Sequence, residues 1–406
     1  MNDSAYALFV QQQTDRGIDL EQVKTRLKAL KIETPSWGYG DSGTRFKVFQ
    51  QVGVPRNPFE KFEDAAQVHR VTGICPSVAI HIPWDKVEDY KQLQQHAASL
   101  GLTIGAINPN LFQDDDYIFG SLCNSNQAIR KKATEHMLEC VAVARETSSS
   151  LLSLWLADGT NYPGQASIRQ RKHWLLEALN EVYQALEPQM RLLIEYKFFE
   201  PAFYHTDLGD WGMAYNTALK LGKQAQVLVD TGHHAQGTNV EQIVAYLLDE
   251  QCLGGFHFNS RKYADDDLIV GAINPYELFL IFYQILDALS DAEAGVRQTA
   301  ENIAYMIDQS HCIEPKIPAM IRSVLNVQTQ YAKALLINLA EVRAAQEKQD
   351  VLAAENAVRT AFELDVTPLL QVVREEMGVP VDPMAAYLAS GYAEKIRARG
   401  KGGASW

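Results

Sequence analysis

Eight short apolar runs, rich in β-branched and aromatic residues, recur along the chain, and each ends in a polar residue followed by a Gly, Asn or Pro loop. They begin near Pro35 (PSWGYG), Ser77 (SVAIHIPW), Thr103 (TIGAINPN), Leu151 (LLSLWLADG), Arg191 (RLLIEYKF), Gln226 (QVLVDTGHH), Leu253 (LGGFHFNS) and Ala304 (AYMIDQS). Continuous runs of this kind suit strands covered on both faces, the situation of a parallel sheet. Between them stand helical patterns such as QAIRKKATEHMLECVAVARE, QRKHWLLEALNEVYQALE and NVEQIVAYLLDE, with apolar residues three and four apart and acidic or Asn residues at their openings. Eight alternating units predict a closed (β/α)8 barrel, an α/β fold that needs about 250 residues and gathers its chemistry at the C-terminal ends of its strands. An open doubly wound sheet is the rival. No GxGxxG or phosphate-cradling glycine loop follows any strand, and the polar strand ends are spread around the whole series rather than gathered at one switch point.

Flanking patterns set the boundaries. Within residues 1–33, Asp19 precedes LEQVKTRLKALKI and caps a helix with Leu20, Val23, Leu27 and Leu30 on one face. The barrel is expected over 34–314. Residues 315–399 are helical by pattern (AKALLINLAEVRAAQEKQ, ENAVRTAFELDVTPLLQVVREEMG) and read as an extension that packs on its own barrel or on a neighbouring subunit. The last stretch, GKGGASW over 400–406, reads as a mobile tail.

For 406 residues, 47% apolar content fills a sizeable core. A formal charge of −13 argues against nucleic-acid or anionic-membrane partners, which call for clustered Lys and Arg, and favours a small neutral or cation-assisted substrate. The five cysteines are scattered without a CxxC spacing, so neither a disulfide framework nor a zinc knot is expected. With no basic, then apolar, N-terminal leader and no run of about 18 apolar residues, the expectation is a soluble, cytoplasmic protein.

Polar residues at the strand ends carry the chemistry. Glu195 ends the fifth candidate strand, Asp230 and His233 the sixth, His257 the seventh and Asp308 the eighth, and in a barrel these ends converge on one mouth. In ADDDL, Asp265 and Asp267 are two apart, so from an extended loop both carboxylates point the same way. Any one of these residues alone is more often a helix cap or a satisfied core residue. Together, five carboxylates and two imidazoles in one mouth repel each other unless cations neutralise them, and they exceed what a single ion with an open position can use. An oxygen-rich set with some imidazole favours Mn²⁺, Mg²⁺ or Co²⁺ over structural zinc.

Lys197, two residues after Glu195, can polarise a substrate oxygen, and His81 in HIPWD can transfer a proton in ring opening. Trp37, Trp84, Phe112 and Trp155 also fall at strand ends, where aromatic faces suit the apolar faces of a sugar. His234 follows His233 but faces the other way, which leaves it a supporting role.

PSWGYGDSGTRF, HIPWDK, WLADGTNYPGQ, EYKFFEPAFY, LVDTGHHAQGTN, GGFHFNSRKYADDDL and MIDQSH together resemble the L-rhamnose isomerases, in particular the bacterial branch with broad aldose acceptance. The likeness runs from near Gly17 to Gly391. It implies a two-metal, xylose-isomerase-like barrel that interconverts an aldose and its 2-ketose by hydrogen transfer between C1 and C2, with Mn²⁺ as the usual cofactor and Zn²⁺ as an alternative in one site. By position, Glu195, Asp230, His257 and Asp308 match the structural metal site, and His233, Asp265 and Asp267, with Asp230 bridging, the catalytic one. The resemblance also places Asp308, His81 and Lys197 in catalysis. It implies a homotetramer in which Phe46, in GTRF, closes a neighbouring subunit's site. FHFNSRKYADDDL departs from the family's pattern around the sugar's far end, which puts the sugar in doubt: mannose, allose or lyxose stand beside rhamnose. Rival readings are a ketose 3-epimerase with one metal and two glutamates, a metal-binding barrel without catalysis, and a phosphodiester endonuclease, against which the acidic charge counts.

Overall fold

The computed structural model describes residues 3–42, 48–198, 203–310 and 312–402. Eight parallel strands close into a barrel: β1 Glu33–Pro35, β2 Ser77–Ile82, β3 Thr103–Pro109, β4 Leu151–Trp155, β5 Arg191–Glu195, β6 Ala225–Asp230, β7 Leu253–Phe258 and β8 Ala304–Ile307. Each strand pairs with its sequence neighbours, and β1 pairs with β8 to complete the ring. Seven strands begin at or within one residue of the expected positions. The first differs, because β1 ends at Pro35 and Ser36–Tyr39 forms a 3₁₀ turn packed close against Met320.

Alternation along the strands builds the floor of the mouth. Ala79, Ala106, Leu193, Leu228 and Met306 form an apolar cluster of their own inside the barrel. Two residues further along the same strands lie His81, Asn108, Glu195, Asp230 and Asp308, so period-2 geometry seats a polar layer directly on an apolar plug. At the other end, the buried Glu33 carboxylate accepts from Ala106 N at 2.9 Å.

Seven helices follow the strands in turn: α3 Pro58–Thr72, α4 Tyr90–Ser99, α5 Gln127–Thr147, α6 Ile168–Gln184, α7 Trp211–Leu221, α8 Val240–Asp249 and α9 Pro275–Ala288. Side chains of Asn57, Asp89, Asn126, Ser167, Asp210, Asn239 and Asn274 cap their first turns, each accepting from a free backbone N–H. After the short α10 (Ala294–Glu301), α11 (Lys316–Leu335) packs between α9 and α3 and completes the outer ring. α11, which opens the stretch expected as an extension beyond residue 314, thus packs on this chain's own barrel. From α11, Ser323 accepts from Val270 N at 3.2 Å and Asn326 donates to Val270 O at 2.7 Å, which ties the loop after β7 to this helix.

Ahead of the capped α2 (Leu20–Ala29) lies α1 (Asp3–Asp15), which the sequence reading did not identify. The two C-terminal helical patterns each divide. Asn338 caps α12 (Leu339–Glu347) after α11 ends, and α13 (Val351–Glu363) stops before α14 (Thr367–Glu376), with α15 (Pro383–Ala389) and α16 (Tyr392–Ile396) beyond. The start of the expected tail is anchored: Gly53 N donates to Gly400 O at 2.9 Å, and Arg399 pairs with the buried Asp64 at 2.9 Å. Among the described residues no helix is long and apolar enough to cross a membrane.

Candidate metal centre

Two groups of ligand atoms meet in the barrel mouth. Glu195, Asp230, His257 and Asp308 each offer one atom within 4.8 Å of the others, and Asp230, His233 and Asp265 do the same, with Asp230 common to both. His257 Nδ1 lies 3.1 Å from Glu195 Oε2 and 3.7 Å from Asp308 Oδ2, while His233 Nε2 lies 3.5 Å from Asp265 Oδ1. Asp267 stands outside both groups, on the same cavity wall as Asp265. Their loop is not extended as expected. Ser260 and Leu268 exchange backbone hydrogen bonds at 3.0 and 2.9 Å, folding residues 261–267 back over the mouth, and Asp267 takes the left-handed φ of 46°.

Several candidate ligands are oriented by neighbours. Asn259 Nδ2 donates to Asp230 Oδ1 and Oδ2 at 2.9 and 3.1 Å. His233 Nδ1 faces the Tyr196 carbonyl at 3.1 Å, which fixes the tautomer and leaves Nε2 for the Asp265 side. The Tyr196 hydroxyl meets His234 Nε2 at 2.6 Å, consistent with the supporting role expected for His234. Lys197 Nζ pairs with Asp265 Oδ2 at 2.8 Å and sits 4.8 Å above the Trp155 ring. Asn259 and Tyr196 were not singled out in the sequence, because only the folded pairing of β6 with β7 and with β5 brings them beside the candidate ligands.

Three observations test whether a cation fits. First, Glu195 Oε1, His257 Nδ1 and Asp265 Oδ1 are buried with no hydrogen-bond partner among the described residues, although charged groups stand 3.1 to 3.7 Å away. Their lone pairs therefore address shared space rather than each other. Second, a Cβ at Gly232 would stand 2.7 Å from Asn259 Oδ1 and 3.1 Å from both Asp230 Oδ1 and Asp265 Oδ1, so this glycine leaves an open cradle between the two groups. Third, the protein alone is electrostatically frustrated. Burial, reinforced by Glu195, Asp265 and Asp308, pushes Asp230 up to about 7 against the pull of His233. Burial and the surrounding carboxylates drive Asp267 well above the ordinary range. Burial works against the charged forms of His257 and Glu195 too, but their mutual attraction brings His257 up to about 9 and Glu195 down to about 2. Divalent cations would replace the protons this site must otherwise hold. The donor set fits them.

A cavity of about 280 Å³ opens beside the ligands. His81 and Trp84 stack with ring centroids 3.7 Å apart, Phe112 and Trp155 meet at 4.5 Å, and Trp37 stands edge-on to His81 at 5.7 Å. All four aromatics expected at described strand ends thus line one cavity, and Phe46 lies outside the described residues. Trp37 does more than present a ring face, since its Nε1 donates to Asp308 Oδ1 at 2.8 Å. Burial, with the Lys61 and His136 charges, holds His81 well below the usual imidazole range and so neutral. On this wall His81 Nδ1, Ser153 Oγ and Trp155 Nε1 are buried without hydrogen-bond partners among the described residues. Ser153 was missed in the sequence; its signal was a lone hydroxyl in LLSLW, two residues before Trp155 and hence on the inward face.

A closed parallel barrel carrying paired acid–imidazole groups at the C-terminal ends of its last four strands defines a class, and the chain belongs to the xylose isomerase-like TIM barrel family, whose model matches residues 69–277. It is 43% identical over 388 residues to a probable sugar isomerase of Rhizobium meliloti (strain 1021), spanning 94% of this chain and 89% of that protein. A probable sugar isomerase of Mesorhizobium japonicum is 40% identical over 399 residues, spanning 97% and 91%. Among solved structures, an L-ribulose 3-epimerase aligns with a TM-score of 0.55 at 15% identity over 76% of this chain and 98% of its own. A 3-keto-D-glucoside 4-epimerase from E. coli aligns at 0.53 and 13% identity over 74% and 99%. At these identities the likeness is one of fold.

Proposed function

We propose that this chain is a metal-dependent aldose–ketose isomerase that interconverts L-rhamnose and L-rhamnulose, and related aldoses such as mannose, allose or lyxose, by moving hydrogen between C1 and C2. One observation carries the reading: two ligand groups sharing Asp230 lie beside Lys197 in a cavity with an aromatic wall. The likeness over nearly the whole chain to probable sugar isomerases supports it.

In this reading Glu195, Asp230, His257 and Asp308 hold one divalent ion and His233, Asp265 and Asp267, with Asp230, a second. Mn²⁺ is the inferred ion, with Co²⁺, Mg²⁺ or, in one site, Zn²⁺ as substitutes. When bound, the ions supply Lewis acidity toward the oxygens of the open-chain sugar. The protein's own groups do the rest. Lys197, balanced by Asp265, donates to the carbonyl oxygen and stabilises negative charge as it develops there. Neutral His81, with Nδ1 open to the cavity, takes up a proton during ring opening. Trp84, Phe112 and Trp155 pack the C–H faces of the sugar and exclude water, while Ser153 Oγ and Trp155 Nε1 meet its hydroxyls. We infer a cytoplasmic homotetramer in which Phe46 closes a neighbouring subunit's cavity.

The test is a panel of purified aldoses and ketoses assayed with Mn²⁺ after exhaustive chelation and again after metal is restored. Cation-dependent C1–C2 isomerisation is the expected result. Epimerisation at C3 alone, or turnover that survives chelation, would sink the proposal.

A further inference from the structure

Asp308 follows the last residue of β8, at one of two seams where neighbouring barrel strands share a single paired position. β1 and β8 share a single paired position, Glu33 with Met306, whereas β1 and β2 share three. Across this seam the Trp37 indole N–H donates to Asp308 Oδ1 at 2.8 Å, while Oδ2 faces His257 Nδ1 at 3.7 Å. The two carboxylate oxygens thus have different neighbours: one is held by the indole and the other faces His257 of the ligand group. The indole itself has little freedom. Trp37 is buried and stands at 88° to the His81 ring, and its 3₁₀ turn backs onto Met320, which a Cβ on Gly38 would approach to 2.8 Å.

We propose that Trp37 is a positioning residue that holds Asp308 to one-oxygen ligation in the group with Glu195, Asp230 and His257. The inference rests on the metal-site reading above, though on neither the sugar nor the reaction. A carboxylate with both oxygens free swings between one-oxygen and two-oxygen binding of a cation, and the second mode fills a position a substrate oxygen needs. Committing Oδ1 to an N–H donor removes that mode, as hydrogen-bonded neighbours commonly do for ligands.

The experiment titrates apoprotein calorimetrically with Mn²⁺ and records the visible absorption of the Co²⁺-loaded protein for the unaltered chain, Trp37→Phe and Trp37→Tyr. Phenylalanine keeps a ring and loses the donor; tyrosine keeps a ring and a hydroxyl donor. One of two bound ions should weaken about 10- to 100-fold in W37F, with a changed Co²⁺ spectrum, while the other ion is unaffected and W37Y recovers most of the loss. Unaltered affinity and spectrum in W37F overturn the inference, and so do equal losses in W37F and W37Y, which would trace the effect to packing. If the unaltered chain binds no divalent ion, the metal-site reading falls with it. Should W37F fail to fold, the Trp37 indole ¹⁵N–¹H resonance of the unaltered chain, identified by its absence in W37Y, decides: it should shift when Mg²⁺ is added, and a resonance that stays put refutes the proposal.

Discussion

Adding one methyl group at Gly232 tests the centre at its most crowded point. The backbone there is not left-handed, so alanine brings no conformational strain and should stabilise by about 0.4–1 kcal/mol through the unfolded chain. The new Cβ, however, would lie 2.7 Å from Asn259 Oδ1, closer than a carbon tolerates, and 3.1 Å from Asp230 Oδ1 and Asp265 Oδ1. Asn259 must turn away, giving up its contacts with both Asp230 oxygens at 2.9 and 3.1 Å. Losing hydrogen bonds to a charged acceptor costs about 1.5–3 kcal/mol, so the net destabilisation of Gly232→Ala should be about 1–2 kcal/mol. The larger effect falls on cations, because Asp230 belongs to both ligand groups. Mn²⁺ affinity should drop about 10- to 100-fold at both ions. Calorimetric titration of the apoprotein measures this, with Gly209→Ala as the control, since a Cβ there meets only ordinary contacts at 3.6 Å and beyond. Unchanged affinity in G232A would show that the cradle is empty space of no consequence and refute the two-ion arrangement.

Chelation should abolish turnover and lower the melting temperature. An ion present at 100 times its Kd stabilises by about 2.7 kcal/mol, and 406 residues carry an unfolding entropy of about 0.85 kcal/mol/K, so each ion lost should lower the midpoint by about 3 °C; a midpoint indifferent to chelator would count against resident ions. Lys197→Met should reduce kcat about 10²- to 10³-fold with Mn²⁺ content retained, because a bound cation can replace the ammonium as partner of Asp265; wild-type kcat would remove Lys197 from the chemistry. Ser153→Ala should leave the melting temperature unchanged or slightly raised, since the hydroxyl has no hydrogen-bond partner among the described residues, yet lower kcat/KM about tenfold for sugars whose hydroxyl meets it; equal loss for every sugar tested would deny it a role in discrimination. Gly105→Ala would place a Cβ 1.6 Å from Glu33 Oε2 and evict that carboxyl from the barrel floor, a cost of about 2–4 kcal/mol visible as a lowered melting midpoint; an unshifted midpoint would mean the floor yields more easily than its packing implies.

Strand positions and the candidate ligands at their ends were readable because both depend on short-range pattern. A buried parallel strand announces itself as an apolar run, and the inward residue two places past the plug is polar on five strands, from His81 to Asp308. What escaped the sequence depends on partners distant in the chain. SWGY reads as a strand until its packing against α11 is known, and α11 reads as an appendage until it is seen between α9 and α3. The same holds for Trp37, legible as an aromatic at a strand end, whose N–H is committed to a residue 271 positions away. Asn259 and the Tyr196 carbonyl carry no signal of their own, since an amide or a backbone oxygen becomes an orienting group only by proximity.

The mouth of the barrel is divided along its sequence. The ligand candidates of the two groups that share Asp230, with Asp267, come from β5 through β8 and the loops that follow them, while the aromatic wall, with polar atoms unpartnered among the described residues, comes from β1 through β4 and the loops after them. Charge neutralisation constrains the first half tightly, because moving any carboxylate strands the others. The second half faces only the shape and hydroxyls of a ligand, and a residue such as Ser153 can change without disturbing a ligand group. Selectivity among aldoses should therefore lie in residues 37–155 and reaction type in residues 195–308. Exchanging the wall residues Phe112 and Ser153 should alter the ranking of sugars by kcat/KM while Mn²⁺ affinity stays fixed, and a coupled loss of both would show that the two halves are not separable. This division also accounts for why candidate ligands stand out in a sequence while a sugar's wall does not: ligands must be particular residue types, whereas a wall is defined by how its side chains meet.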